Sequence, residues 1–202
     1  MTLLITGCPR SGTRYMQRVM FRLGLDLGHE KWRRDGAVCS MLAVDDWFYP
    51  NQYVFRGQRR SSLAPDLVWH IVRHPLAVIS SISGWGGLGV NPAWWAWQER
   101  HTGIAPDRPW NDLSAVDKIA LASRFYVSWN EIIENDPSVT LRFKVEAVPI
   151  EELCERLGRE APDDLGDVRL IGKSGAGRLR WDQLADAEEA IRKMSARYGY
   201  LE

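Results

Sequence analysis

The sequence predicts a three-layer α/β fold, in which a central parallel sheet of about four or five strands is covered by helices on both faces. Short apolar runs bounded by turn residues alternate along the chain with stretches of helical period, a pattern typical of strand–helix–strand units. The 202 residues are 45% hydrophobic and 26% charged, which is enough apolar material for one core. No low-complexity linker and no internal repeat divides the chain. We therefore expect residues 1–202 to form a single domain.

The predicted strands are short apolar runs of the kind found in buried parallel sheets. They lie at residues 2–6, 68–72 and 139–143. A further short strand is expected within residues 25–30, where the chain returns to the sheet after the first helix. Three of these runs are separated by at least sixty residues, which leaves ample chain for the right-handed crossovers that parallel strands require.

Helices are predicted between and after these strands. Pro75 occupies the first helical turn, where proline is tolerated, and Ser114 with Asp117 resembles a capping box. The segments 31–67 and 84–113 are rich in aromatic residues and are expected to be loops, with Asp45 and Asp46 in solvent. The helices are expected at about residues 11–23, 74–83, 114–133, 150–157 and 181–197.

Composition excludes several classes of protein. Lysine plus arginine equals aspartate plus glutamate at 26 each, so no net charge attracts the chain to nucleic acid or to an anionic membrane. No apolar run approaches the roughly 18 residues of a membrane span, and the N-terminal run lacks the basic flank of a secretory signal. Three scattered cysteines suit a reducing compartment. We expect a cytoplasmic protein with no nucleic-acid partner and no membrane span.

The connection between the first strand and the first helix, GCPRSGTR at residues 7–14, has the G-x-x-x-x-G spacing of a P-loop, which makes the predicted fold P-loop-like. Backbone N–H groups at the start of the helix would point at a bound anion. Thr13 replaces the lysine of nucleoside-triphosphatases, and the strand at 68–72 ends in Arg73, not in a Mg²⁺-binding aspartate. The loop is therefore predicted to bind a phosphate-type anion without a metal, with Arg10 as its cation.

Three segments resemble the sulfotransferase family, in particular its small bacterial members. TGCPRSGTRY resembles the family's 5′-phosphosulfate loop. VRHPLAVISS is similar to its 3′-phosphate segment, in which a serine follows the strand-ending arginine by eight positions, as Ser81 follows Arg73. TLRFKVEAV resembles the late strand and the turn after it. The first two motifs stand in the family's order, each at a strand end, and together they are more specific than one loop alone.

The resemblance implies a donor, 3′-phosphoadenosine 5′-phosphosulfate (PAPS), a product, 3′-phosphoadenosine 5′-phosphate (PAP), and no metal. It implies metal-independent, in-line sulfuryl transfer to a hydroxyl or amine of a small-molecule or carbohydrate-like acceptor, with Arg10 stabilising the charge on the leaving oxygen. Tyr15 is expected near the adenine, with helix packing as the alternative. The remaining donor contacts implied are Arg10, Ser11, Gly12, Thr13 and Arg14 at the 5′-phosphosulfate, Arg73 and Ser81 at the 3′-phosphate, and Lys173 in a later loop.

The acceptor must lose a proton, so a base is expected beside the loop. Some family members have a glutamate at about the position of Glu30, which is our first candidate, and the neighbouring His29 is the second. His70 and His74 are predicted to be structural. The segment Trp85–Trp97 either lines the acceptor pocket or fills the core.

Other functions remain open at this stage. Cys8 and Arg14 fit the C-x5-R loop of cysteine phosphatases, in which a thiolate at a helix N-terminus is the nucleophile. Tyr15 stands where that family has a serine or threonine. A P-loop small-molecule kinase would lack its usual lysine and metal-binding aspartate here. A nucleotide-binding module without catalysis is the third alternative.

Overall fold

The structure is a computed structural model, and it describes residues 1–46, 59–84, 91–164 and 179–201. Five strands form one sheet in the order β2-β3-β1-β4-β5, and every neighbouring pair is parallel. This confirms the predicted α/β class and the parallel sheet. The strands are β1 (Leu3–Thr6), β2 (Leu27–His29), β3 (Gly36–Val38), β4 (Leu67–Val72) and β5 (Val139–Lys144).

β3 lies within a segment that was predicted to be a loop. It pairs with β1 in a register that sets Gly36 opposite Leu3. A Cβ atom at Gly36 would lie 2.0 Å from the Leu3 carbonyl oxygen, and the φ of 122° there favours glycine, so the strand needs this residue to approach β1. Only six residues connect β2 to β3, and each of these strands is three residues long. An antiparallel bridge between Arg33 and Gly36 turns the chain back at the end of this connection.

Seven helices surround the sheet in the described part of the chain. Ser114 and Asp117 form the predicted capping box, and Pro75 occupies the first turn of its helix as expected. The last helix is shorter than predicted, because two 3₁₀ turns (Trp181–Gln183 and Ala185–Ala187) precede it. The helices are α1 (Thr13–Arg22), α2 (Arg60–Leu63), α3 (Pro75–Ser83), α4 (Pro92–Thr102), α5 (Ala115–Glu134), α6 (Ile150–Arg156) and α7 (Glu188–Arg197).

Side chains alternate between the two faces of the sheet and build a separate apolar layer on each. Leu3 and Ile5 of β1 pack with α1 and α6, whereas Leu4 packs with the helices on the opposite face. Trp69 and Ile71 of β4 join the first layer in the same way. The layer on the opposite face is the larger, with buried residues from α3, α4, α5 and α7. The molecule therefore has the predicted three layers.

The segment 84–113 contains α4, so the loop prediction for it is wrong. Asn91 caps the helix by accepting hydrogen bonds from the backbone N–H groups of Ala93 and Trp94. Trp94, Trp95 and Trp97 are buried; Trp94 packs edge-to-face against Trp95, and Trp97 packs at a tilt against Trp129 of α5. Within the described residues, the tryptophan-rich segment is therefore core, and Trp85 lies outside them.

Asp46 is a second correction, because its side chain is 7% exposed and not in solvent. Its Oδ2 accepts a hydrogen bond from Trp97 Nε1 at 3.0 Å and lies 2.9 Å from His101 Nε2 and 3.4 Å from Arg100 Nη2. Asp45 is exposed, as expected, and accepts a hydrogen bond from the Ser61 backbone. Asp46 therefore fixes α4 to the segment after β3.

None of the helices in the described ranges combines the length and the apolar character that a bilayer crossing requires.

Candidate functional site

The strand order predicts that a ligand would bind at the carboxyl end of β1. The chain leaves β1 towards β2 and β3 on one side and later returns to β4 on the other. In open parallel sheets, ligands bind where connections diverge in this way. The loop at residues 7–12 follows β1, Arg73 follows β4, and Glu30 follows β2, so all three reach the same edge.

The loop is held in a fixed path by close contact with β4. A Cβ atom at Gly7 would lie 2.5 Å from the carbonyl oxygen of Ile71, so only glycine fits there. Arg10 and Gly12 have φ angles of 75° and 97°, and Ser11 N donates to Cys8 O at 2.9 Å. This turn leads into α1, whose first N–H groups have no partners within the helix and no acidic residue beside them. The helix entry is therefore suited to an anion.

Direct hydrogen bonds join the loop to the β4–α3 segment. Arg10 Nε donates to Ser81 Oγ at 2.8 Å, and Arg73 Nη1 donates to the Arg10 carbonyl oxygen at 3.2 Å. Tyr126 of α5 donates from its hydroxyl to the Arg73 carbonyl oxygen at 3.4 Å. The two motifs, which are more than sixty residues apart in the chain, thus form one constellation. The sequence pattern did not single out Tyr126, which lies within the helix predicted at about residues 114–133.

The site carries an excess of positive charge. Burial lowers the pKa of Arg10, and the nearby guanidinium groups of Arg73 and Arg14 lower it further, with Glu30 opposing them. Three arginines, Arg10, Arg14 and Arg73, and one carboxylate, that of Glu30, thus interact electrostatically around Arg10. A guanidinium remains charged at any physiological pH, so the site has a net positive charge that an anionic ligand would neutralise.

Both candidate bases lie on the loop side of the sheet. His29 Nε2 is 3.1 Å from Thr13 Oγ1, and burial together with Arg14 lowers the pKa of this imidazole to about 4, so it is neutral near pH 7. Burial raises the pKa of Glu30, although Arg14 and Arg10 oppose the shift. Glu30 has a φ of 52° and donates its N–H to Val38 O, which fixes its backbone at the end of β2.

The side chains of Ser11 and Cys8 are buried, whereas the arginines of the loop reach solvent. Both are fully buried, and the Ser11 hydroxyl has no hydrogen-bond partner among the described residues. A buried hydroxyl without a hydrogen bond lowers the stability of the folded protein by about 1–3 kcal/mol. At Ser11 no other described residue offsets this cost. Burial raises the pKa of the Cys8 thiol well above its usual value. This argues against Cys8 as a thiolate nucleophile.

Two further expectations concern donor contacts outside the loop. Tyr15 is half-buried and packs against the α1 layer of the core, in line with the helix-packing alternative. Lys173 lies outside the described residues.

The two histidines predicted to be structural have structural contacts. His70 is fully buried, accepts a hydrogen bond on Nδ1 from Arg142 Nε at 3.2 Å and lies 3.1 Å from Asn130 Oδ1 through Nε2. His74 donates its backbone N–H to Glu146 at 2.9 Å, and the same carboxylate accepts from the Tyr200 hydroxyl at 2.6 Å. Glu146 therefore holds the C-terminal segment next to the residue that follows Arg73, a link that the sequence pattern did not indicate.

Comparison of the chain with protein-family models, with curated proteins and with solved structures finds no match.

Proposed function

We propose that the protein is a sulfotransferase that moves a sulfuryl group from PAPS to a hydroxyl or amine without a metal. The observation that carries this proposal is the pair of hydrogen bonds linking Arg10 to Ser81 and to Arg73. These bonds join the segment that resembles a 5′-phosphosulfate loop to the one that resembles a 3′-phosphate site. A bisphosphate nucleotide needs two anion subsites, and the residues that resemble those of the two subsites are in contact with each other.

The chemistry of the site fits such a donor. Three arginines converge at a helix N-terminus, and a guanidinium binds phosphate and sulfate oxygens through paired N–H groups. The buried Ser11 hydroxyl has no hydrogen-bond partner in the part of the chain that the structure describes. A nucleoside triphosphate would need a metal ion and a lysine at the loop, and Thr13 occupies the lysine position. These features favour PAPS over ATP as the ligand.

The residues have complementary roles in the proposed transfer. When bound, the donor supplies the sulfuryl group and a phosphate leaving group. The bond from sulfur to the bridging oxygen breaks as a bond to the acceptor oxygen or nitrogen forms, and the acceptor's proton passes to a base. Arg10 stabilises the charge that develops on the bridging oxygen, because its guanidinium is held at the loop by Ser81.

Glu30 is the preferred base. Burial raises its pKa and so makes it more basic than a solvent-exposed glutamate, while Arg14 and Arg10 oppose the shift. His29 already contacts the Thr13 hydroxyl through Nε2, and its pKa of about 4 makes it a weaker base. We assign His29 to positioning Thr13 at the start of α1, and we keep it as the second candidate.

Calorimetric titration of the metal-free protein with PAP tests the donor assignment. We expect PAP to bind much more tightly than ATP, and its affinity to be unchanged by a chelator. Adenosine 5′-phosphosulfate, which lacks the 3′-phosphate, serves as the matched control and should bind with intermediate affinity. Equal binding of PAP and ATP, or binding that depends on Mg²⁺, would overturn the proposal in favour of a P-loop kinase.

A further inference from the structure

A row of exposed arginines runs along α1, and the proposed sulfuryl transfer leaves most of it without a role. Arg14, Arg18 and Arg22 stand at i, i+4 and i+8, so they lie on one side of the helix about 6 Å apart along its axis. None of the three forms an ion pair with a residue in the described ranges. We refer to these three residues as the arginine track.

Most of the arginine track does not serve the stability of the helix, since only Arg22, in the last turn, is placed favourably for the helix dipole. Like charges at i, i+4 repel each other, and a cation in the first turn opposes the helix dipole. Other helices of this protein pair their exposed cations with a glutamate one turn earlier, namely Arg156 with Glu152 in α6 and Arg192 with Glu188 in α7. Only α1 among these three helices lacks such partners. The unbalanced charge is therefore available to an external anion.

The track is continuous with the candidate site. Arg14 is its first member, and its charge acts on Arg10, His29 and Glu30 at the loop. At the other end of α1, Arg159 donates from Nη1 to the Leu23 carbonyl oxygen at 2.9 Å and adds a cation beyond Arg22. Phe21, which is 66% exposed, provides an apolar ring beside the row. An extended anionic chain lying on α1 would reach the loop at one end.

We infer that the arginine track binds an anionic polysaccharide, a chain of uronic-acid type, and that this chain is the acceptor. The inference rests on the proposed function, because the site then requires a hydroxyl at the end of the track. Arg18 and Arg22 each pair with a carboxylate of the chain, Arg14 remains with the donor, and the ring of Phe21 packs against the apolar face of a sugar. The acceptor hydroxyl lies beside Glu30, which takes its proton as the oxygen attacks sulfur.

Charge elsewhere on the protein disfavours wider polyanions. The chain has no net charge, and α6, which lies in the same layer as α1, exposes Glu151 and Glu155. A duplex nucleic acid or an anionic membrane would cover both helices and meet this acidic surface. A single polysaccharide chain is narrow enough to follow α1 alone.

The test compares the variant R18Q/R22Q with a matched control, R108Q/R124Q, which removes the same charge from exposed positions outside α1. Binding of fluorescent polygalacturonate and of neutral dextran of similar length is measured by anisotropy in the absence of donor. We expect the track variant to bind polygalacturonate about two- to thirtyfold more weakly at low salt, as for the loss of two exposed charge pairs. The slope of log affinity against log salt should fall by roughly 1.4, about 0.7 for each lost contact. The control variant should bind as the wild type does.

The outcomes separate this inference from the proposed function. PAP affinity of the track variant, measured by calorimetry, should equal that of the wild type, because Arg18 and Arg22 are outside the donor site. If the wild type binds polygalacturonate through the track but does not bind PAP, the proposed function fails and the polysaccharide surface stands. Equal binding of polygalacturonate and dextran, or an unchanged affinity in the track variant, overturns the inference. Tighter track-dependent binding of single-stranded DNA or of anionic vesicles would assign the surface to that partner instead.

Discussion

Replacement of Arg73 by alanine should separate the two anion subsites. Loss of a charge-assisted hydrogen bond to the 3′-phosphate costs about 1.5–3 kcal/mol, which weakens PAP binding roughly ten- to a hundredfold. The structure adds a second, smaller effect. Arg73 Nη1 also holds the Arg10 carbonyl oxygen at 3.2 Å, and loss of that bond costs about 0.5–1.5 kcal/mol through a less ordered loop. Removal of one neighbouring cation opposes this cost by relieving repulsion on Arg10.

Calorimetry with two ligands measures both effects. Adenosine 5′-phosphosulfate lacks the 3′-phosphate, so it should detect only the change in the loop and lose at most about tenfold in affinity. Arg73→Lys is the matched variant, because it keeps the charge and loses the paired N–H geometry, and its PAP affinity should be intermediate. An equal loss for PAP and adenosine 5′-phosphosulfate in Arg73→Ala would refute the assignment of Arg73 to the 3′-phosphate.

Three further changes test the base, the phosphatase alternative and the core. Glu30→Gln should lower turnover about 10²–10⁴-fold with little change in PAP affinity, and it should abolish the loss of rate that the wild type shows as pH falls through the raised pKa of Glu30; a larger loss in His29→Ala would reverse the assignment. Cys8→Ser should leave sulfuryl transfer largely intact in an assay with labelled PAPS, whereas a cysteine phosphatase would lose all activity. Asp46→Ala should lower the free energy of unfolding in urea by about 1–3 kcal/mol, because it removes the buried acceptor of the Trp97 N–H; an unchanged midpoint would contradict that role.

Local patterns were sufficient to predict the elements that place the loop. The strands at 2–6, 68–72 and 139–143 were predicted to within a residue or two, because apolar runs between turn residues are short-range signals. The capping box at Ser114 is local in the same sense, and the helix begins where it predicts. The position of the loop and of Arg73 at one edge of the sheet then followed from the parallel topology alone.

The wrong predictions for α4 and for Asp46 concern positions at which polar side chains are buried. In α4 the buried side includes Gln98 as well as three tryptophans, so the apolar period of the helix is broken. Its boundaries were nevertheless visible, since Asn91-Pro92 is a helix start and Gly103 a helix end. Asp46 was assigned to solvent because its partners are more than fifty residues away on α4, and no local pattern reveals such a pairing.

Several contacts at the site depend on tertiary structure in the same way. The bond from Arg10 to Ser81 and the approach of Thr13 to His29 require the relative positions of three strand ends. The resemblance to known motifs indicated that these residues share a site, but not which of them touch. The hydroxyl of Tyr126 could not have been selected, because its position in α5 is that of an ordinary core residue.

The order of the strands has a consequence for the synthesis of the protein. β1 leaves the ribosome before the other four strands, yet it pairs with β4, and the five-stranded sheet is complete only when β5 has been made. At about 5–20 residues per second, residue 144 follows residue 6 by roughly 7–28 s. Loop closure over such distances costs the finished protein little, since each doubling of loop length adds only about 0.6 kcal/mol. During translation, however, β1 has β3 beside it but lacks β4, and β4 then lacks β5, so the unfinished chain is the form of this protein most in need of a chaperone.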